Sequence, residues 1–441
     1  MSADLAWAKK IPPGPRGRLM PTLRIIRDPA KVFNQWVKQY GDPFLVNALN
    51  GPVVITGRAD LIEEVFSGDP SHYEVFATKS MKPILGAGSL LMMDGDEHRR
   101  ERKLMAPMFH GDRMKAYGQA MQEVARSVIE PIQVGATFQA IDVTTEISLQ
   151  VIVRTVIGAD QPETRRQIEQ ATRGVLDRTS PLLFFSPKTH FPFFGYSFLD
   201  RFTAARDRMH AVLLKELQSR GDSLATREDI LSIMASTTYE DGQPIEQQHL
   251  FEEIGTMLFA GHETTAIALA WAFYHLHQHP QWLDRLRTEI RAAADLSPAT
   301  LASLPLLKAI IAETLRLNPI ITEMMRKLRT PMRFGDYELP AGFSIAPAPI
   351  LAHYNAEVFE QPYDFNPQRF IDRKYTPSQY LPFGGGKRRC VGAAFSMYEM
   401  AIVLGTLLSE NEFALCEPNP VVQKRRNITM GPSTGIKMRR L

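Results

Sequence analysis

Of the two cysteines in the chain, Cys390 has the surroundings better suited to chemistry. It ends the segment 383–390, which reads FGGGKRRC, and it comes shortly before a predicted helix at 393–408. Unpaired N–H groups and the positive dipole at a helix start favour a thiolate, and Arg388 and Arg389 add positive potential. Because glycines let a backbone pass close to a flat group, the segment suits a thiolate that is the axial ligand of haem iron. The alternative is an inert buried cysteine beside a glycine-rich loop.

The segment 260–265, which reads AGHETT, is the second pattern that can carry chemistry. Thr264 can hydrogen-bond back to the carbonyl four residues earlier and bend its helix. Gly261 removes a side chain from the same turn, which predicts a groove there. An acid beside an alcohol in such a groove, Glu263 next to Thr264, suits a proton relay. The alternative is a kinked core helix whose acid is paired elsewhere.

Two further groups of charged residues have helical spacing. His98 and Arg102 are four residues apart, so both lie on one helix face and together can clamp an anion. Glu313 and Arg316 are three residues apart, and as an exposed pair they would contribute about 0.2–0.5 kcal/mol. A charged residue of this kind is more often simply solvated, so neither pair by itself indicates a functional site. The pairs support a site only when they occur together with the other motifs.

Helices must position these residues, because helical periodicity dominates the chain. Apolar residues at helical spacing predict helices over 60–66, 97–109, 114–130, 142–157, 163–176, 202–219, 227–237, 247–279, 281–294, 306–317 and 393–408. Another helix follows Asp28 and Pro29, an N-cap with proline at the first helical position. A hairpin around Asn50, β segments at 332–337 and 343–346 and strands at the chain end complete a mainly α fold class with small β-sheets.

The chain is predicted to have a short leading segment and one domain. Residues 12–17 read PPGPRG, which is stiff and cannot be helical, so 1–27 is predicted to be extended and proline-rich. No internal repeat, low-complexity tract or long polar linker interrupts the remainder. Residues 28–441 are therefore predicted to form a single domain.

Composition excludes several classes of protein. The 441 residues include 51 Lys+Arg and 48 Asp+Glu, which lacks the basic excess of a nucleic-acid binder. A hydrophobic fraction of 44% allows a large core and excludes disorder. Two cysteines exclude a secreted disulfide framework, and with no visible signal peptide they favour a cytoplasmic location. The apolar stretch 254–276 contains His262 and Glu263, which favours a helix in a soluble protein over a membrane span.

The cysteine segment has the form Phe-x-x-Gly-x-Arg-x-Cys-x-Gly, and this pattern resembles the haem-binding loop of the cytochrome P450 family. Its residues are Phe383, Gly386, Arg388, Cys390 and Gly392. The family's other motifs occur in order upstream, and the resemblance spans nearly the whole chain. It implies a soluble bacterial-type haem-thiolate monooxygenase, built as one large helical haem domain with small β-sheets.

The resemblance also implies a role for each candidate site residue. Cys390 would be the axial ligand of the iron in haem b, within a loop that includes Phe383 and Gly384. Glu263 and Thr264 would be the catalytic pair that delivers protons on the distal side of the haem. Four basic residues would bind the haem propionates: His98, Arg102, Arg326 and Arg388. A cluster of three charged residues would lock the core that supports the cysteine loop: Glu313, Arg316 and Arg369.

The resemblance makes the aromatic segment 182–198 a lid over the substrate channel and makes 81–93 the opposite wall. Both segments are rich in large apolar side chains, so we expect a lipophilic substrate such as a fatty acid, terpenoid, steroid or polyketide-like molecule. Dioxygen would be the second substrate. The aromatic segment also allows a weak peripheral contact with a membrane, without a transmembrane segment.

Electrons are expected from a separate protein, because the chain ends soon after the helix that follows Cys390. The partner would be a ferredoxin or flavodoxin with its reductase, which draws indirectly on NAD(P)H. Opposite charge would steer an acidic partner towards the basic residues near the predicted thiolate side. Those residues are Arg99, Arg100, Lys103, Lys387 and Arg389.

Three other functions fit parts of the pattern. A peroxide-driven haem-thiolate oxidase would need no redox partner, but hydrogen peroxide already brings the protons that Glu263 and Thr264 would deliver. A non-catalytic haem sensor or carrier would usually have an output domain, and none is visible in the sequence. A haem-free helical binding protein leaves the pattern around Cys390 unexplained.

Overall fold

The computed structural model describes residues 11–109, 111–159, 161–179, 190, 196–426 and 428–441. These residues are mainly helical with small β-sheets, which confirms the predicted fold class. They pack into two compact units, each formed by separate stretches of sequence. The described residues of the first unit belong to Met1–Ala77, Ala312–Cys390 and Gln423–Gly431, and those of the second to Thr78–Ile311, Val391–Val422 and Pro432–Leu441. A single catalytic domain over 28–441 stays a prediction.

The helices lie close to where apolar periodicity predicts them. In chain order the described α-helices are α1 (Leu19–Arg27), α2 (Pro29–Tyr40), α3 (Ala59–Ser67), α4 (Thr78–Leu85), α5 (Gly95–Met105), α6 (Asp112–Ile129), α7 (Ala140–Ile152), α8 (Pro162–Leu176), α9 (Phe198–Ser219), α10 (Ile230–Ser236), α11 (Gln247–Gln278), α12 (Pro280–Ala292), α13 (Pro298–Ser303), α14 (Pro305–Leu317), α15 (Pro349–Ala352), α16 (Gln368–Asp372) and α17 (Ala393–Glu410).

The strands are short. They are β1 (Phe44–Ala48), β2 (Gly51–Thr56), β3 (Tyr73–Glu74), β4 (Thr137–Gln139), β5 (Arg326–Leu328), β6 (Met332–Phe334), β7 (Tyr337–Leu339), β8 (Ser344–Pro347), β9 (Phe413–Leu415), β10 (Gln423–Arg426), β11 (Thr429–Pro432) and β12 (Lys437–Arg440). The largest sheet belongs to the first unit and has the order β1-β2-β8-β5-β3. In the second unit β12 pairs with β4 on one side and with β9 on the other.

Local sequence signals explain the start of the first unit. The Asp28 carboxylate accepts the N–H of Lys31 at 3.0 Å and caps α2, with Pro29 at the first helical position as predicted. The predicted hairpin is present, because β1 and β2 pair antiparallel with Ala48 opposite Gly51. Buried side chains of α2 pack against both strands, with Trp36 and Phe44 in an edge-to-face contact.

The leading segment differs from its prediction, because residues 19–27 form α1 instead of an extended chain. Pro21 lies in the first turn of this helix, where its missing N–H removes no intrahelical hydrogen bond. The described residues 11–18, before α1, form no helix, and there the Pro13 carbonyl accepts the N–H of Leu45 at 2.9 Å. Proline-rich composition therefore describes the first part of the segment but not the whole of it.

The second unit contains α11, a helix of 32 residues that is buried without interruption from Thr265 to Tyr274. Its closest packing is against α7, which continues into a π-helical turn at Val153–Ile157 and ends at Gly158 with φ +64°. Proline at position 280 separates α11 from α12, as predicted. No helix among the described residues has the length and apolar character needed to cross a membrane.

Two predicted substrate segments have different outcomes. Within 81–93, predicted only as an apolar wall, α4 reaches Leu85 and Leu90–Met92 forms a 3₁₀ turn. The aromatic segment 182–198 lies mostly outside the described residues. Its described end contains Ser197, which caps α9 in a reciprocal pair with Asp200, so that helix begins earlier than predicted.

Candidate active site

The loop that ends at Cys390 is part of the first unit and is closed by its own backbone. The N–H of Cys390 donates to the carbonyl of Phe383 at 2.9 Å, and the N–H of Gly384 donates to that of Leu381 at 3.1 Å. A 3₁₀ turn at Gly386–Arg388 leads into Cys390, whose side chain is exposed. The loop thus holds an accessible thiol three residues before α17 begins.

The glycines of the loop are required by the residues behind them. A side chain added at Gly385 would place its Cβ 2.2 Å from the ring of Phe66, at the end of α3. At Gly386, where φ is +63°, the Cβ would lie 2.4 Å from the carbonyl oxygen of Phe66. Gly384 has φ +69° and lies against the sulfur of Met324. Close packing on Phe66 and Met324 therefore explains the three glycines, in addition to the approach to a flat group predicted from the sequence.

A buried cluster of charges belongs to the same unit as this loop. Arg316 binds both carboxylate oxygens of Glu313, at 2.7 and 2.9 Å, and Arg369 binds the same carboxylate at 3.1 Å. The N–H of Asn366 adds a fourth donor at 2.9 Å. Arg316 also donates to three main-chain carbonyls between residues 353 and 364. The pair is therefore a buried ion pair that organises the chain, and removing one partner costs about 3–5 kcal/mol.

The middle of α11 carries the predicted acid–alcohol pair. Thr264 Oγ1 donates to the carbonyl of Ala260 at 2.8 Å, as predicted, and both Glu263 and Thr264 are partly exposed. The groove predicted above Gly261 is wrong, because Ile152 of α7 fills that space and an added Cβ would lie 2.2 Å from its Cδ1. Gly261 therefore permits close packing of two helices.

Comparison with known proteins identifies the family. Residues 12–437 match a family model described as Cytochrome P450. The chain belongs to the cytochrome P450 family. One relative, cytochrome P450 135B1 of Mycobacterium tuberculosis, is 33% identical over 440 residues, which is 97% of this chain and 91% of the relative. Cytochrome P450 138 of the same species is 34% identical over 408 residues, which is 90% of this chain and 89% of the relative.

Solved structures have the same fold. The structure described as retinoic acid bound cyanobacterial CYP120A1 has a TM-score of 0.86 at 23% identity and covers 98% of this chain and 99% of its own. The cytochrome P450DA haem domain has a TM-score of 0.83 at 21% identity. Family membership makes the protein an oxidoreductase of the haem monooxygenase class, whose haem has a cysteine thiolate ligand.

In this P450, two arginines of the first unit form a site with the chemistry of a haem propionate partner. Arg326, at the start of β5, is held close enough to Arg388 for their charges to interact. Burial and the positive charge of Arg388 lower the pKa of Arg326 to about 10. A partly buried guanidinium beside a second cation is stabilised by a bound anion, and carboxylates match guanidinium donors in shape. The residues present therefore fit a haem carboxylate.

The other two predicted propionate partners belong to the second unit. His98 and Arg102 are one turn apart on α5, His98 buried and Arg102 partly so. Glu263 and Thr264 belong to the same unit, whereas Phe383, Gly384 and Cys390 belong to the first. In the first unit Arg326 lies near Arg388, and in the second His98 and Arg102 share one helix and Glu263 and Thr264 another. The roles of these residues stay predictions.

The basic face predicted for an electron donor is partly neutralised. Three basic residues of α5 have acidic partners: Arg99 with Asp96 at 2.8 Å, Arg100 with Asp241 at 2.9 Å and Lys103 with Glu240. These pairs are exposed, so each adds little stability but reduces the local positive charge. Lys387 and Arg389 are also exposed, and they lie in the cysteine loop of the first unit.

Sequence reasoning misses two buried acids of the second unit. Burial raises the pKa of Glu399, on α17, to about 8. Burial and the charge of Glu101 raise the pKa of Glu253, on α11, to about 8, although the N–H of Leu90 donates to its carboxylate at 2.6 Å. The detectable signal for Glu399 is an acid placed inside a largely apolar helix, away from its ends. The environment of Glu253 has no such local signature.

Proposed function

We propose that this P450 uses Cys390 as the axial ligand of haem b and inserts one oxygen atom from dioxygen into a lipophilic substrate by hydroxylation or epoxidation. The loop geometry carries this proposal: its backbone closes on itself at 2.9 Å, its glycines lie against Phe66, and its thiol is exposed before a helix. Cys416 has no comparable setting. It follows β9, and its sulfur lies 3.8 Å from the carbonyl oxygen of Ala414.

When bound, the haem supplies the oxygen chemistry, and an electron-donating thiolate favours cleavage of the O–O bond. The residues of this chain would hold and orient it. Arg326 and Arg388, both in the first unit, are proposed to bind one or both haem propionates, because a bound anion stabilises two neighbouring positive charges. His98 and Arg102 are proposed to bind propionate from α5. Phe383 and Gly384 are proposed to complete the loop around the ligand.

Glu263 and Thr264 are the proposed proton relay. Because Thr264 Oγ1 donates its hydrogen to Ala260 at 2.8 Å, its lone pairs face outward as acceptors for a protonated group. Glu263 is partly exposed and can exchange protons with solvent. The neighbouring His262 does not serve this role, since burial lowers its pKa to about 4 and keeps it neutral near pH 7.

Electrons are proposed to come from NAD(P)H through a reductase and a separate ferredoxin or flavodoxin, in the cytoplasm. The ion pairs on α5 reduce the positive charge that would attract an acidic electron donor to that helix. Lys387 and Arg389 are therefore proposed to contribute more to this attraction than the sequence alone indicates. Charge reversal at Lys387 is therefore expected to slow electron transfer more than reversal at Arg99.

The first test is the absorption spectrum of the reduced, carbon-monoxide-bound protein. We expect the strongly red-shifted Soret band of thiolate ligation, abolished by Cys390→Ala and retained by Cys416→Ala. A haem-bound protein with an unshifted band would refute the assignment of the ligand.

The substrate class is tested by following the spin-state change of the haem iron during titration with fatty acids, terpenes, steroids, macrolides and retinoic acid. Sugars and amino acids, titrated in the same way, are the polar comparison. Saturable spin-state changes with these polar compounds alone would refute the lipophilic pocket.

A further inference from the structure

Resting on Cys390 as the haem ligand, we propose that His353 is a positioning residue that couples the Glu313–Arg316 ion pair to the cysteine loop. His353 follows α15 and is completely buried. Arg316 Nη1 donates to the carbonyl of His353 at 2.8 Å, and His353 Nδ1 lies 3.2 Å from the carbonyl oxygen of Arg316. On its other side, His353 Nε2 accepts the N–H of Leu381 at 3.0 Å. One imidazole thus joins the charge cluster to the first part of the loop.

The hydrogen bonds determine which tautomer His353 adopts. A main-chain N–H can only donate, so Nε2 must accept from Leu381 and carry no hydrogen. Nδ1 then carries the ring hydrogen and donates it to the Arg316 carbonyl. Burial, reinforced by the charge of Arg316, lowers the pKa of His353 to about 3. The ring therefore stays neutral, and both contacts persist across the working range of pH.

Aromatic neighbours hold the imidazole in place. The ring of Tyr380 lies 5.4 Å away at a 30° tilt, and the ring of Phe359 lies 6.4 Å away edge-on. The Tyr380 hydroxyl donates to the carbonyl of Ala312 at 3.0 Å, in the same helix that carries Glu313 and Arg316. Residues 380 and 381 are consequently tied to α14 twice, once directly and once through His353.

The position of Leu381 is transmitted to the cysteine through the loop backbone. The carbonyl of Leu381 accepts the N–H of Gly384, and the carbonyl of the adjacent Phe383 accepts the N–H of Cys390. Leu381 is almost completely buried, so its N–H cannot turn to water if His353 is removed. An unsatisfied buried donor is costly, and a shift of the backbone that relieves it moves the turn that presents the thiol.

Two variants separate the two ring nitrogens. In His353→Gln the side-chain amide reaches the position of Nε2 and can accept from Leu381, whereas in His353→Asn it reaches only the position of Nδ1. The measurement is the rate at which the red-shifted band of the reduced, carbon-monoxide-bound holoenzyme converts to the unshifted band in mild urea. We expect this rate to be about tenfold higher for His353→Asn than for His353→Gln. The Gln variant should stay within about twofold of the unsubstituted protein. Hydrogen exchange at the Leu381 N–H should accelerate only in the Asn variant.

His277→Asn is the matched control. His277 is another neutral histidine, partly buried, with Nδ1 bound to a main-chain carbonyl, that of Phe273 at 2.7 Å, but it belongs to α11 in the second unit. This variant should unfold at lower urea without faster loss of the red-shifted band in the folded protein. If the red-shifted band converts at equal rates in the Asn and Gln variants of His353, or if His277→Asn accelerates its conversion as much as His353→Asn does, the role of His353 is refuted. The assignment of Cys390 as the ligand is not affected by either result. Absence of the red-shifted band from the unsubstituted protein would overturn the proposed ligand and this role together.

Discussion

Replacing Glu253 by glutamine is expected to stabilise this P450 at neutral and alkaline pH. The carboxyl group lies between α11 and α5, where burial and the charge of Glu101 raise its pKa from 4.5 to about 8. A glutamine at this position can still accept the N–H of Leu90 through its amide oxygen. The substitution therefore removes an ionisable group while keeping its hydrogen bond.

The sign of the effect follows from proton binding in the two states. Between pH 4.5 and about 8 the folded protein keeps a proton on Glu253 that the unfolded chain has lost. The free energy of unfolding of the unsubstituted protein therefore falls as the pH rises through this window and is level above it. Each pH unit is equivalent to about 1.36 kcal/mol, so the change from pH 5 to pH 8 is at most about 4 kcal/mol. We expect Glu253→Gln to gain about 2–4 kcal/mol relative to the unsubstituted protein over that range.

Urea unfolding of both holoenzymes at pH 5, 6, 7 and 8 measures this difference. The diagnostic quantity is the change with pH in the difference between the two free energies of unfolding. A difference that is the same at every pH reflects only the exchange of an acid for an amide. Glu63→Gln is the control, since this residue is exposed on α3 and its carboxylate is hydrated before and after unfolding. A difference for Glu253→Gln that stays flat or falls with pH would refute the reasoning.

Three other substitutions test the site. Thr264→Ala should leave electron consumption running while product falls and hydrogen peroxide appears; unchanged product per electron would contradict the relay. Arg316→Lys loses the planar fork that binds Glu313 and the main-chain carbonyls, and should lower the free energy of unfolding by about 3–5 kcal/mol in urea titrations. Gly385→Ala should lose the red-shifted Soret band because its Cβ would lie 2.2 Å from Phe66, and Phe66→Leu in the same chain should restore part of it. An undisturbed band in Gly385→Ala would show that the loop does not need this packing.

Sequence patterns predict the parts of this protein that depend on near neighbours. Asp28 caps α2 and Thr264 bonds back to Ala260, and each contact joins residues three or four apart. Two other patterns are local and were identified from the sequence: the glycine-rich loop with Cys390, and the spacing of Glu313 and Arg316. The family resemblance adds roles for these residues, and the match over 12–437 confirms the family.

Tertiary structure decides what depends on residues far apart in the chain. Ile152 fills the space over Gly261, acids at 240 and 241 pair with two basic residues of α5, and Glu253 is buried near Glu101. His353 meets Leu381 across 28 positions, and its place between the ion pair and the loop has no signature in local periodicity. The chain by itself determined which groups can do chemistry, because side-chain types and short spacings are written in it. Folding determined how those groups are buried, charged and held, because burial and pairing depend on which distant side chains meet.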